Sequence, residues 1–141
     1  MTVEPLFDGI EVGIVTTQPE LLAEFYGGFL GLESRGELEF TGGRQLRFGF
    51  GPNIIKLVAY DADPPAGAVA GGGPAQAGIR YVSLGAANLA EVAQDAEVAG
   101  VDVLVPPTDF PAFPGFGFCF LADPEGNAVE LFGPFEAGST S

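Results

Sequence analysis

Short apolar stretches and amphipathic ones follow each other along the chain in a definite order. Residues 10–16, IEVGIVT, have the length and β-branched content of a strand. In the next stretch, TTQPELLAEFYGGFLGL, Leu21, Leu22, Phe25, Phe29 and Leu32 fall on one helical stripe. Thr17 with Glu20 three residues on predicts a capping box, Pro19 suits a first turn, and Gly31 is a stop signal. ESRGELEF, RQLRFGF and NIIKLVAY then read as three strands.

The same order returns in the second half. Residues 79–84, IRYVSL, read as a strand, and Asn88 is placed to cap a helix with Leu89, Val92, Ala93 and Ala96 on one face and Gly100 at its end. VDVLVPP, GFCFLAD and NAVELFG are the three following strands, the last two joined by a tight turn, DPEGN, in which Gly126 is free to take a positive φ. NIIKLV and NAVELF share a frame, with Lys56 and Glu130 at the same place in each. The spacing predicts two strand-helix-three-strand modules, about 8–60 and about 79–133. A Pro, Gly and Ala connector joins them at about 61–78, and a frayed tail follows at 136–141. Neither half buries both faces of its own sheet, so residues 1–141 are expected to form one domain.

Composition narrows the chemistry. The 141 residues are 47% hydrophobic, with 13 Phe, which is enough to build a core. No apolar run approaches the roughly 18 residues of a membrane span, and no leader pattern opens the chain. A single Cys, Cys119, fits a reducing compartment, so a cytoplasmic protein is expected. A net charge of −14 repels nucleic acid and anionic membrane; it would draw cationic partners, although an acidic surface more often serves solubility. His is absent, which removes imidazole from metal binding, proton shuttling and Ser-His pairs, and leaves oxygen ligands for any hard metal. The Gly-rich connector lacks the Lys-Ser/Thr ending of a phosphate loop, and no Gly-x-Ser-x-Gly elbow is present. Gly27-Gly28 inside the helical stripe reads as a close-packing site, and Cys119 as inert core.

IEVGIVT, EFYGGFLGLE, GIRYVSL and above all DPEGNAVELF make residues 8 to 133 resemble the vicinal oxygen chelate superfamily, the glyoxalase, bleomycin-resistance and extradiol-dioxygenase group. The resemblance implies an α+β fold of two βαβββ modules that form a cup-shaped sheet around a small-molecule site, usually in a homodimer. It also implies metal-ligand positions on the first and last strand of each module, here Glu11, Lys56, Tyr81 and Glu130. Glu11 and Glu130 are competent ligands, Tyr81 is a poor one unless ionised, and the ammonium of Lys56 has no lone pair to give. No metal and no cofactor is therefore expected.

Strand alternation puts Ile54, Lys56 and Val58 on one face, and Ala128, Glu130 and Phe132 on another. If these faces line the cup, Glu11 and Glu130 are the natural partners of Lys56. The four residues then read as a proton-transfer cluster, the carboxylates as acid/base groups and Lys56 and Tyr81 as electrophilic or orienting groups. Against this stands the plainer reading of Lys56 as a salt-bridged strand residue. Phe110, Phe113 and Phe116 form either an apolar wall of the site or a cap on the core or a dimer contact. Arg47 is placed to meet an anionic group, and Ile54 and Phe132 to touch a ligand. Three functions remain open. One is a metal-independent isomerase, epimerase, cyclase or lyase acting on a small apolar carbonyl compound. Another is a protein that sequesters a hydrophobic or cationic natural product. The third is a metalloenzyme using Glu11, Glu130 and water.

Overall fold

A computed structural model describes residues 1–138. The expected tail lies partly outside these residues, at 139–141. The chain divides into two compact units, Met1–Gly67 and Ala68–Ser141.

In the first unit β1 (Glu11–Val15) leads into α1 (Pro19–Ala23), then β2 (Glu33–Phe40), β3 (Gly43–Phe50) and β4 (Asn53–Tyr60). The four strands form one sheet in the order β1-β4-β3-β2. β1 runs parallel to β4, and the other pairs are antiparallel. The helical stripe does form, with two differences from expectation. Its second part, Glu24–Phe29, is π-helical, with the Leu30 amide donating to the Phe25 carbonyl at 2.9 Å. The Thr17–Glu20 capping box is also absent, because the N-cap is Gln18, and Thr16 Oγ1 instead accepts from the Gln18 amide at 2.9 Å. The stripe buries Leu22, Phe25 and Tyr26 over the sheet face that carries Phe48, Ile55 and Leu57, while Leu21 stays exposed. Gly27 is where helix and sheet come closest: a Cβ there would stand 2.6 Å from the Phe48 ring.

The second unit has the same order. β5 (Tyr81–Gly85), α2 (Leu89–Ala99), β6 (Val103–Asp109), β7 (Phe116–Ala122) and β8 (Ala128–Pro134) form a sheet ordered β5-β8-β7-β6, again with one parallel pair. α2 buries Leu89, Ala93 and Ala96, and the sheet contributes Cys119, Leu121, Val129 and Leu131 to the core. Asn88 occupies the N-cap but makes no side-chain cap bond; its Nδ2 reaches Glu91 instead. Gly100 ends the helix in the left-handed region at φ 76°. The β7–β8 turn is built on Asp123. Its buried carboxylate accepts from the amides of Glu125 and Asn127 and from Asn127 Nδ2, and Gly126 takes φ 89°. Arg80 turns to the connector, and its Nη2 donates to the carbonyls of Val69 and Gly72 at 2.9 Å. Among the described residues no helix is long and apolar enough to cross a membrane.

Candidate functional site

Each sheet has one face under its helix and one face free of it. In the first unit the register places Gly13 and Arg47 on either side of Lys56 in one cross-strand row. Glu11 reaches into this row from two residues before Gly13 on β1. Its Oε1 meets Arg47 Nη2 at 3.0 Å and Lys56 Nζ at 3.5 Å. Gln45 Oε1 accepts from Arg47 Nη1 at 2.6 Å and fixes the guanidinium from the other side. The three charged side chains are only 21–32% exposed. Ile54 and Val58 flank Lys56 on the same face and are buried. Of the residues expected to act together, Glu11, Lys56, Arg47 and Ile54 are therefore gathered in one unit. Arg44 lies elsewhere and is paired with Glu20 and Glu37, which raises its own pKa and holds the Glu20 carboxyl below the usual range.

The second unit presents a different surface. Ser83, Glu130 and Phe120 stand opposite one another across β5, β8 and β7, and Ser83 Oγ donates to Glu130 Oε1 at 2.7 Å. Phe120, opposite this carboxylate, belongs to a series of ring contacts. Tyr81 meets Phe120 edge-on at 5.1 Å, Phe120 meets Phe118, and Phe118 meets Phe110. Phe132 is in contact with Phe110, Phe113 and Phe116, the last at 5.6 Å. Edge-to-face and tilted contacts of this kind are the favoured ring geometries. Phe110, Phe113, Phe116 and Tyr81 are partly exposed to solvent. At the β6–β7 end, Asp109, Phe110, Pro111, Pro114, Phe116 and Glu136 border a cavity of about 330 Å³.

Sequence reasoning missed Gln45, Ser83, Phe118 and Phe120. Period-two alternation would have found all four, since each lies two residues from a residue already singled out or from its ring partner. Cys119, between Phe118 and Phe120, points into the core; burial pushes its thiol up to about 11.

The four positions at which the resemblance implies metal ligands do not fit a divalent ion. Each unit offers one carboxylate there. In the first unit that carboxylate already faces an ammonium and a guanidinium, which repel a cation. In the second, Glu130 is accompanied by Ser83 and by a tyrosine whose ring is packed on Phe120. Among the described residues no three Cys, Asp or Glu side chains converge as a ligand group.

The family model for the Glyoxalase/Bleomycin resistance protein/Dioxygenase superfamily matches residues 10–131. The chain belongs to this superfamily. Solved structures of the same fold include lactoylglutathione lyase from Agrobacterium tumefaciens, at 22% identity and TM-score 0.63, covering 92% of this chain and 94% of that one. TioX from Micromonospora sp. ML1 is similar at 18% identity and TM-score 0.67, covering 92% and 100%. A glyoxalase family protein from Enterococcus faecalis is similar at 21% identity and TM-score 0.62, covering 92% and 96%. At these identities the likeness is one of fold. No curated protein sequence matches the chain. Superfamily membership makes α+β the fold class and leaves the reaction to the residues just described.

Proposed function

We propose that this superfamily member carries out metal-independent proton transfer on a small, largely apolar carbonyl compound, as an isomerase, epimerase, cyclase or lyase. One observation carries the reading: the Ser83 hydroxyl holds one oxygen of Glu130 on a face otherwise made of rings. The other oxygen, Oε2, has no partner among the described residues. A carbonyl compound lying against Phe120 and Phe132 presents an acidic C–H to Oε2; Glu130 takes the proton and returns it at a second position. Tyr81 is the orienting group, with its hydroxyl available to the oxyanion that forms. Glu11 serves as counter-ion to Arg47 and Lys56 rather than as a second base.

The test is solvent deuterium exchange into a panel of small ketones and aldehydes, followed by NMR. Exchange should be catalysed by the native protein and fall about 100-fold or more in Glu130→Gln. Exchange that survives this substitution would sink the proposal. A second reading, sequestration of a hydrophobic or cationic compound, is favoured by the continuity of the rings from Tyr81 to Phe116. Tight binding of a compound that returns chemically unchanged would select it. A homodimer in the cytoplasm completes the proposal, and sedimentation equilibrium tests the dimer.

A further inference from the structure

The chain has 19 carboxylates and 5 cationic side chains, so nearly every Arg should be outnumbered by acids. Arg44 is, with two Glu partners, and Arg35 is matched one to one by Glu33. The row on β1, β3 and β4 reverses the balance: Arg47 and Lys56 share the single carboxylate of Glu11, and both approach its Oε1. The row therefore carries an excess positive charge on side chains that are about three-quarters shielded from water. Lys56 meets Glu11 as an ion pair at the long distance of 3.5 Å and has no other partner among the described residues, although its ammonium carries three N–H donors. Gly13 stands opposite Lys56, where even a Cβ would come within 3.8 Å of the lysine stem. With glycine at this position, that flank of the ammonium is uncovered. Ile54 and Val58, on the same face, are buried, so the exposed part of the row is its charged side chains.

We infer that this row is a binding site for a small organic carboxylate, whose anionic group pairs with Lys56 and Arg47. The ligand anion completes the charge balance that Glu11 alone leaves open. Gln45 keeps the guanidinium in place, so the site is preorganised for the anion. The inference is independent of any chemistry at Glu130.

Titration calorimetry with benzoate, benzyl alcohol and benzylamine tests it, in about 0.15 M salt, where the Debye length of about 8 Å screens the global negative charge. Benzoate should bind about tenfold tighter than benzyl alcohol, and benzylamine not at all. Lys56→Met should lose about tenfold in benzoate affinity. Glu11→Gln should tighten benzoate binding, because it removes the competing carboxylate; a purely structural ion pair would not give that gain. Circular dichroism verifies that each variant is folded, and Arg47→Gln replaces any variant that is not. Benzoate binding no tighter than benzyl alcohol, unchanged in Lys56→Met or weakened by Glu11→Gln, would overturn the inference.

Discussion

Asp123 shows how much one side chain can decide. It is 4% exposed and accepts three hydrogen bonds that close the β7–β8 turn. Removing the acceptor leaves amide donors without partners in a confined turn, which costs far more than losing one exposed hydrogen bond. Asp123→Ala should therefore lower stability by about 2–3 kcal/mol in urea unfolding, with Asp123→Asn recovering part of it. A loss under about 0.5 kcal/mol would show that the backbone alone holds the turn. DPEGN was readable in the sequence as a turn, since Asp, Gly and Asn each have a local reason to be there. Other residues were legible only as alternatives. Lys56 read equally as a salt-bridged strand residue and as a functional cation, because strand alternation gives a face but not a partner. The partners came from cross-strand register, which brings Glu11 to Lys56 from far along the chain and Arg47 from the neighbouring strand of the β3–β4 hairpin.

At the scale of elements, α1 and its π-helical continuation are held by contact with the sheet more than by their own caps, since no side chain caps the start. The two adjacent glycines give a matched pair of experiments. Gly→Ala inside a helix ordinarily gains about 0.5–1 kcal/mol. At Gly28 nothing lies within 4 Å of the added Cβ, so Gly28→Ala should gain about that amount. At Gly27 the Cβ meets the buried Phe48 ring, and overpacking of about 1–3 kcal/mol outweighs the gain. Thermal melts of the two variants should move in opposite directions; equal shifts would mean that Phe48 yields freely. The sequence showed that this stretch is helical and apolar on one side. It did not show the switch from α to π hydrogen bonding, because a one-residue change of pitch leaves the apolar stripe almost intact. The capping-box expectation failed for a related reason: the residue at the N-cap depends on where β1 stops pairing with β4, which is a tertiary matter.

At the scale of the whole molecule, Cys119 links the core to pH. Burial raises the thiol from an ordinary value of 9.0 to about 11, so the folded state holds its proton where the unfolded chain has lost it. The contribution is fully present below about pH 9 and is lost as pH rises through about 11. Native protein should therefore lose on the order of 2–3 kcal/mol more stability than Cys119→Ala over that window, as measured by denaturant midpoints. Parallel profiles for the two would show that the thiol titrates alike in both states. By itself the sequence determined the βαβββ order, its duplication and the strand faces, because periodicity and turn chemistry are local and each module repeats them. It also determined that imidazole has no part in the chemistry, since composition alone decides that. Only the tertiary structure decided that Lys56 and Arg47 share Glu11, that Ser83 holds Glu130, and that seven rings form one continuous face. The physical reason is that pairing between strands is non-local: a shift of one residue in register would have sent each of these side chains to the opposite face.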